Sequence, residues 1–322
     1  MSPLTPLIAF AALVIERVTG YPRWLQACAG HPVQWIGRMI GALDARLNDP
    51  ARTDPSRRLR GVLALGLVLA VVAAVTVPIA IACRLFFWGW VLEALLATTL
   101  LAQKSLKQHV EAVADGLDQG LAEGRRAVSM IVGRDPQELD ASGVSRAAIE
   151  SLAENSSDGV VAPALWLVLL GLPGIALYKA INTADSMIGH RSERYRAFGW
   201  AAARLDDLVN LPGSRLSGLL YGLAAWPATR NVLAIMRRDA GKHASPNAGW
   251  PEAAMAGALG LRLGGPRSYG GQVAELPWLG DGGETLDQQD IRRGLALYGR
   301  MLTLLALMVE ALAVAGLLWM WL

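Results

Sequence analysis

The stretch GVLALGLVLAVVAAVTVPIAIAC, residues 61–83, runs for 23 positions without a charged side chain. A helix needs about 20 apolar residues to cross the hydrocarbon core of a bilayer, so this stretch predicts a transmembrane helix. Arg57, Arg58 and Arg60 stand directly before it, and basic flanks favour the cytoplasmic side. We therefore expect an integral membrane protein whose polar segments return to the cytoplasm.

Further apolar segments surround this helix. Only Arg84 separates residues 61–83 from the apolar residues 85–102, which predicts a helical hairpin. Residues 160–181 contain the break Gly171-Leu172-Pro173-Gly174, typical of a kinked span or of two half-helices entering one face, and polar motifs at both ends favour half-helices. The remaining apolar segments are about residues 4–15, 216–226 and 301–322.

The polar stretches between these segments complete the predicted fold. Residues 103–159 show amphipathic helical spacing, residues 182–215 are dense in Asp, Asn and Arg, and residues 229–300 carry Gly and Pro loop signals. No strand pattern persists. The prediction is one all-α polytopic membrane domain over residues 1–322, with about five apolar helices, one of them broken or re-entrant, and cytoplasmic polar helices and Gly/Pro-rich loops.

Composition excludes several function classes. The chain is 53% hydrophobic and 18% charged, against roughly 45–50% and about 25% in soluble domains. Its 30 basic and 27 acidic side chains nearly cancel, so we expect lipid headgroups and anionic substrates as partners and no nucleic acid. Cys28 and Cys83 predict no disulfide framework, the four histidines lack metal-ligand spacing, and residues 4–15 lack the basic leader of a signal peptide.

Carboxylate and amide side chains concentrate between residues 150 and 215. Glu150, Glu154 and Asp158 are spaced four apart, on one helical face. Clusters of Asn and Asp recur at Asn155 with Asp158, Asn182 with Asp185, and Asp206 and Asp207 with Asn210. Such oxygen ligands suit Mg²⁺, which binds phosphates through the rest of its shell. Basic residues able to hold phosphate or carboxylate are interleaved: Lys179, Arg191, Arg194, Arg204 and Arg215.

A solvated charged face explains any single one of these residues about as well as a site does. The cluster, however, flanks an apolar segment, where charged side chains tend to be functional.

Three long segments resemble the CobD/CbiB family of adenosylcobinamide-phosphate synthases: ESLAENSSD (150–158), YKAINTADSM (178–187) and FGWAAARLDD (198–207). Shorter matches are HPV (31–33), MIVGRD (130–135), RD (238–239) and SPNAGW (245–250), so the resemblance covers about residues 10–300. The chain departs from the family pattern at Glu16, at Gly20-Tyr21-Pro22, and at Pro212-Gly213-Ser214-Arg215, where the family has Pro-Ala-Arg.

The resemblance implies an ATP-dependent ligase of cobalamin biosynthesis. It would join aminopropanol, or its O-phosphate, to the free carboxylate of adenosylcobyric acid, with Mg²⁺ as cofactor and ATP as co-substrate. The resemblance also implies a multi-pass protein of the inner membrane with a cytoplasmic active site. Other cobalamin-assembly proteins, or a second copy of the chain, are the protein partners this implies.

The resemblance also implies roles for single residues. The expected metal ligands are Asp158, Asp185, Asp206 and Asp207. The expected catalytic residues are Glu154, Asp158, Lys179, Asp185, Arg191 and Arg204, with Glu154 taking the proton of the attacking amine and the cations stabilising phosphate charge. Substrate or cofactor binding is expected at Asn155, Asn182, His190, Asp206, Arg215 and Asn247. The glycine-rich residues 264–271 are expected against the corrin ring.

Two other classes fit part of the pattern. Intramembrane prenyl or phosphate transferases also bind Mg²⁺–diphosphate through Asn and Asp clusters, but they have more spanning helices, and the sequence lacks the further acid of an NDxxD motif. A non-catalytic membrane sensor of the AmpE type is related to the same family. Such a sensor has no need of the acidic and amide side chains, and their presence favours an enzyme.

Overall fold

The computed structural model describes residues 3–133, 136–269, 272–274 and 276–321. Its helices are α1 Thr5–Thr19, α2 Arg23–Ala29, α3 Pro32–Leu47, α4 Asp54–Arg84, α5 Gly89–Thr98, α6 Gln103–Gln119, α7 Leu121–Val128, α8 Ala141–Ser156, α9 Ala162–Ile188, α10 Trp200–Ala224, α11 Thr229–Asp239, α12 Gly249–Leu259 and α13 Gln288–Trp321. A π-helical segment, Ser157–Val161, joins α8 to α9, and a 3₁₀ turn, Ala240–Lys242, follows α11. The predicted all-α fold is confirmed.

Short strands are the exception to the helical fold. Strand β1 (Leu263–Gly264) pairs antiparallel with β4 (Trp278–Leu279), and β2 (Arg267–Tyr269) pairs antiparallel with β3 (Gln272–Ala274). They lie in the Gly- and Pro-rich stretch that was predicted as loop. The corrin-contact prediction at residues 264–271 falls partly outside the described residues, because residues 270 and 271 are not described.

Among the described residues, three segments are long and apolar enough to cross a membrane, judged by length and composition: Asp54–Arg84, Ala141–Ile188 and Gln288–Trp319. The first contains the predicted span 61–83, and the third contains most of the predicted segment 301–322. The second combines α8, the π-helical segment and α9.

The chain folds as two compact units. Unit 1 comprises Met1–Ala102, Ala162–Asn210 and Met308–Leu322, and unit 2 comprises Gln103–Val161 and Leu211–Leu307. The core of unit 1 is formed where α1, α3, α4 and α5 pack against α9. In unit 2, α6 packs against α7 and α8, and α12 packs against α8 and α11.

The predicted hairpin after residue 83 has one short arm. The chain reverses after α4, and a Cβ placed at Gly89 would lie 1.5 Å from the Cys83 carbonyl oxygen, so the close approach needs glycine. Helix α5 has ten residues, a length of about 15 Å, whereas the hydrocarbon core is about 30 Å thick. Segment 85–102 is therefore not a second full span.

The predicted break in α9 is a sharp reversal at Gly171. Its φ of 69° and ψ of −156° lie in a region that essentially only glycine adopts. A Cβ at Gly174 would lie 2.4 Å from the carbonyl oxygen of Trp166, eight residues earlier in the chain. In a straight helix, residues eight positions apart are separated by about 12 Å. The chain therefore folds back, and each half of α9 is shorter than the roughly 30 Å needed to cross.

A buried carboxylate stabilises this reversal. The Glu93 side chain is fully buried, and its Oε1 accepts a hydrogen bond of 3.1 Å from the Leu172 backbone N–H. That N–H opens the second half of α9 and has no carbonyl partner in its own helix. Arg84 Nη2 lies 3.8 Å from the same oxygen. Glu93 thus caps the half-helix that carries several predicted site residues.

The basic flank before α4 is only partly a membrane-surface cluster. Arg57 is 6% exposed, and its guanidinium donates to Asn48 Oδ1 at 3.0 Å and to the Arg194 carbonyl oxygen. Arg58 is exposed, with its guanidinium carbon 5.1 Å from the Trp200 ring centroid. Arg57 therefore holds the segment after α9 in place, whereas Arg58 remains available to headgroups.

Candidate functional site

The second half of α9 carries the central polar residues of unit 1. Lys179, Asn182 and Asp185 follow one another at a spacing of three, so they lie along one side of the helix. Lys179 Nζ donates to Asn182 Oδ1 at 3.2 Å, and Asn182 Nδ2 donates to Asp206 Oδ1 of α10 at 3.3 Å. Residues predicted from two separate motifs therefore come together within this unit.

Asp206 is a buried acid with a raised pKa. It is 8% exposed, and burial raises the pKa of its carboxyl to about 6. The charge of Asp185 raises this pKa further, while hydrogen bonds from Asn182 and Asn210 oppose the rise. A buried carboxylate beside a second acid is stabilised by a proton or a cation.

The cluster fits a magnesium ion shared with a phosphate. In the described residues, no group of three or more His, Cys, Asp or Glu side chains could hold a metal ion. Mg²⁺ in phosphate-transfer sites typically takes one or two carboxylates and completes its shell with water and phosphate oxygens. Asp185 and Asp206 supply such a pair. The metal assignments to Asp158, Asp185, Asp206 and Asp207 stay predictions.

Glycines allow α9 and α10 to meet at this point. A Cβ at Gly189 would lie 1.8 Å from Asp185 Oδ1, and a Cβ at Gly199 would lie 1.6 Å from the Ile188 carbonyl oxygen. Larger residues would therefore displace the Asp185 side chain or the start of α10.

Other predicted residues of unit 1 lie on its surface. Arg204 and Asp207 pair with each other at 3.5 Å, with 68% and 35% of their side chains exposed. His190 and Arg191 follow α9 and are exposed, and neither makes a hydrogen bond or ion pair with any described residue. Arg194, a predicted phosphate ligand, instead donates to Asp44 Oδ2 at 2.8 Å, which raises the pKa of its guanidinium.

Sequence reasoning missed two buried partners. The Tyr178 hydroxyl donates to Asn210 Oδ1 at 2.7 Å, and the two residues are 2% and 1% exposed. Asn210 lies one helical turn after Asp206, so this bond fixes an amide beside the carboxylate. Asn210 was recognised only as part of a cluster, and Tyr178 only as the residue before Lys179. No local signal links positions 32 residues apart.

In unit 2, the first acidic motif divides between structural and exposed residues. Glu150 is buried, and its Oε1 accepts a hydrogen bond of 2.7 Å from the Gly264 N–H, so it holds β1 against α8. Glu154 and Asn155 are exposed, and Asn155 Nδ2 donates to the Ser151 carbonyl oxygen at 2.9 Å. The three carboxylates therefore do not act as one set.

Asp158 lies in the π-helical segment Ser157–Val161. Single π-helical turns within α-helices occur frequently at functional sites. The predicted roles of Glu154 and Asp158 stay predictions.

Arg215 and Asn247, predicted from distant motifs, meet in unit 2. Arg215 Nη1 donates to Asn247 Oδ1 at 3.1 Å, and its guanidinium carbon lies 4.8 Å from the Trp250 ring centroid. The extra residue between Pro212 and Arg215 is accommodated inside α10. Trp250 was part of the SPNAGW match but had no predicted role.

Comparison with known proteins identifies the family. A family model described as CobD/Cbib protein matches residues 9–298. The chain belongs to the CobD/CbiB family. Relatives named cobalamin biosynthesis protein CobD include one from Sinorhizobium sp, 51% identical over 97% of this chain and 99% of its own length. Another, from Rhodobacter capsulatus, is 53% identical over 94% of this chain and 96% of its own length. No solved structure matches the chain.

The family match places this CobD/CbiB chain in cobalamin biosynthesis. All the predicted site residues, from Glu154 to Asn247, lie inside the matched range. The resemblance read from the three long motifs is therefore confirmed at the level of the family.

The RD motif of this CobD/CbiB chain is structural. The Asp239 side chain is fully buried, and it accepts hydrogen bonds from Arg238 at 2.7 and 2.8 Å and from the Gly280 N–H at 2.9 Å. Arg238 also donates twice to Asp281 at 2.8 Å, and Lys242 Nζ lies 2.6 Å from Asp239 Oδ1. These contacts tie the end of α11 to residues 280–281.

We expect Asp239→Asn to destabilise the fold by about 2 kcal/mol at neutral pH, since charged hydrogen bonds are lost at a buried position. Arg238 lowers the pKa of Asp239 below its usual value. The stabilisation that the Asp239 carboxylate contributes is therefore complete above its unfolded-state pKa of about 4. This stabilisation is lost as the pH falls through the lower pKa of the folded state. Thermal unfolding in detergent, followed by circular dichroism, should show the gap between wild type and variant shrinking with acid.

The matched control is Asp281→Asn. Asp281 pairs with the same arginine, but 62% of its side chain is exposed. Its effect should be well below that of Asp239→Asn. Equal losses in the two variants, or a gap independent of pH, would contradict the structural role of Asp239.

Proposed function

We propose that this chain is the ligase that joins aminopropanol, or its O-phosphate, to the free carboxylate of adenosylcobyric acid, with consumption of ATP. The observation that carries the proposal is the cluster in which Lys179, Asn182, Asp185 and Asp206 come together from two motifs of the CobD/CbiB family. The family assigns the chain to cobalamin biosynthesis, and the cluster has the chemistry of a phosphate site.

The proposed reaction has two steps. A carboxylate resists attack by an amine because it is negatively charged and has no leaving group. Transfer of the terminal phosphoryl group of ATP to the carboxylate oxygen releases ADP and forms an acyl phosphate. The amine nitrogen then attacks the acyl carbon, loses one proton, and expels inorganic phosphate as the amide bond forms.

The residues of unit 1 suit the phosphoryl step. Lys179, which donates to Asn182, would supply a positive charge to the phosphate oxygens. Asp185 and Asp206 would hold Mg²⁺, which neutralises phosphate charge when bound. Tyr178, through Asn210, keeps the polar group beside Asp206 in a single orientation.

The predicted residues of unit 2 have proposed roles of their own. Glu154 is exposed on α8, one position before Asn155, and is proposed to take the proton of the amine. Asp158 in the π-helical segment is proposed as a cation ligand, and Asn155, Arg215 and Asn247 as binding residues. Arg191 and Arg204 remain proposed phosphate contacts, and His190 and Asp207 remain proposed ligands.

We propose an inner-membrane location with the site facing the cytoplasm. The support is the long apolar helix α4 preceded by Arg58 and Arg60, because basic residues are retained on the cytoplasmic side. Lipid is the expected surrounding, and other cobalamin-assembly proteins or a second copy of the chain are proposed partners.

The test is a reaction with purified protein. Adenosylcobyric acid, Mg²⁺, ATP and either aminopropanol or its O-phosphate are combined, and the corrinoid is analysed by mass spectrometry. We expect the amide product from at least one amine, with ADP released in equal amount and no product without ATP. Folded protein that forms no product with either amine would contradict the proposal, and transfer of a labelled prenyl group from its diphosphate would favour a prenyltransferase.

A further inference from the structure

The contacts around Arg215 leave one edge of its guanidinium open. All its hydrogen bonds use Nη1, which donates to Leu211 O at 3.2 Å, Ser214 Oγ at 3.1 Å and Asn247 Oδ1 at 3.1 Å. Nε and Nη2 donate to no described residue, and neither is a buried atom lacking a partner. A guanidinium has five N–H donors, so the Nε–Nη2 edge retains donors that face accessible space.

Arg215 also lacks a neutralising acid. No described carboxylate lies within ion-pair distance of it, whereas Arg238, Arg262, Arg292 and Arg293 of the same unit each pair with Asp or Glu. Burial lowers the pKa of Arg215, and no acidic neighbour opposes this shift. A half-buried cation without a counter-charge is the state in which an anionic ligand is stabilising.

The partners of Arg215 are themselves held rigidly. Asn247 is 6% exposed, and Ser245 Oγ accepts from the Asn247 and Ala248 N–H groups at 3.2 and 3.3 Å. Ser214 is fully buried and donates to Asn247 Oδ1 at 3.1 Å. The Trp250 ring lies against one face of the guanidinium, in the arrangement of a cation–π contact. The open edge is therefore fixed in one orientation before any ligand arrives.

We propose that Arg215, oriented by Asn247 and Trp250, is a binding subsite for a substrate oxyanion, a phosphate monoester or a carboxylate. The planar Nε–Nη2 edge matches two oxygens of such a group and can bind both at once. The identity of the molecule that carries the oxyanion rests on the proposed function. In that reaction, the oxyanion is either the phosphate of the amine substrate or the carboxylate of the corrinoid.

Binding is tested with inorganic phosphate as the probe. Wild-type protein in a neutral, phospholipid-free detergent is titrated by calorimetry, together with Arg215→Lys, Arg215→Gln and Trp250→Leu. We expect Arg215→Gln to weaken phosphate binding at least tenfold. Arg215→Lys and Trp250→Leu should weaken it by smaller factors, because Lys keeps the charge without the planar edge and Leu removes the stacked ring.

The matched control is Arg237→Gln, which removes the same charge from an exposed arginine of the same unit. It should bind phosphate as the wild type does. Equal phosphate affinity in wild type and Arg215→Gln, with thermal unfolding showing both folded, would overturn the proposal. Trp250→Phe, which keeps an aromatic face, should retain most of the affinity if stacking orients the guanidinium.

Steady-state kinetics then identify which substrate carries the oxyanion that Arg215 binds. If the amine brings the oxyanion, Arg215→Gln should raise KM for aminopropanol O-phosphate at least tenfold and leave KM for aminopropanol unchanged. If the corrinoid brings it, KM for adenosylcobyric acid should rise with either amine. Unchanged KM for every substrate would refute a substrate subsite. A wild type that binds phosphate but ligates nothing would refute the proposed function and leave the oxyanion subsite standing.

Discussion

Asp206→Asn is expected to lower kcat for amide formation by about 1000-fold or more, a loss of about 4 kcal/mol in transition-state stabilisation. Asp206 is buried beside Asp185 and accepts from Asn182, so its carboxylate lies where the proposed phosphoryl chemistry needs a cation ligand. Asn keeps the size and one oxygen but removes the charge. Initial rates at saturating substrates measure the effect, and Asp185→Asn should be similar.

Asp49→Asn is the control for this prediction. It removes the same charge from unit 1, but Asp49 pairs with Arg52 at 3.3 Å and both side chains are nearly half exposed. We expect less than about a tenfold loss in kcat there, since exposed ion pairs contribute little. Comparable losses in Asp206→Asn and Asp49→Asn would show that net negative charge, and not the carboxylates of Asp185 and Asp206, is what the reaction needs.

A metal readout separates a ligand role from general misfolding. Binding of Mn²⁺, followed by electron paramagnetic resonance in the presence of a non-hydrolysable ATP analogue, should weaken strongly in Asp206→Asn and little in Asp49→Asn. Full Mn²⁺ binding by an inactive Asp206→Asn would contradict the metal assignment while leaving the site itself in place.

Gly171→Ala is expected to destabilise the fold by about 2–3 kcal/mol and to reduce kcat more than tenfold. The residue has φ 69° and ψ −156°, a conformation that a side chain strongly disfavours. A Cβ there would also lie 3.0 Å from Glu93 Oε1 and 3.1 Å from Arg84 Nη2. Relief of this strain would shift the half-helix that carries Lys179, Asn182 and Asp185.

Gly66→Ala is the matched control for Gly171→Ala. Gly66 lies inside α4, and a Cβ there would meet no atom within 4 Å. Because Ala favours a helix interior more than Gly does, this variant should be neutral or stabilised by up to about 1 kcal/mol. Thermal unfolding in detergent compares the two. Equal stability of Gly171→Ala and wild type would contradict a strained reversal at residue 171.

The membrane-spanning part of the fold was predictable where the signal is local. The uncharged run 61–83 predicted α4, and the Gly171-Leu172-Pro173-Gly174 break predicted the interruption of α9. The hairpin after residue 83 was also predicted, but the shortness of its second arm was not, because an apolar run does not reveal that the chain turns at residues 85–88 and that α5 has only ten residues.

The sequence predicted which residues belong to the candidate site better than it predicted which residues they contact. The motifs placed Asn182 and Asp206 among the functional residues, and the structure joins them by a hydrogen bond. The same reasoning treated Glu150 as one of three equivalent carboxylates, although it binds a backbone N–H 114 positions away. It also treated Arg57 as a membrane-surface cation, although that side chain is buried.

The sequence by itself determined the class of the protein, the apolar helix α4, the position of the break and the family. These four features depend on hydropathy, on the conformational freedom of glycine and on the order of the motifs. Each of these properties can be recognised from residues that are close together in the sequence. Only the tertiary structure decided that Tyr178 orients Asn210, that Glu93 caps a half-helix, and that Arg215 keeps one edge open beside Trp250. Hydrogen bonds and burial join side chains far apart in the chain, so their partners emerge only when the helices pack.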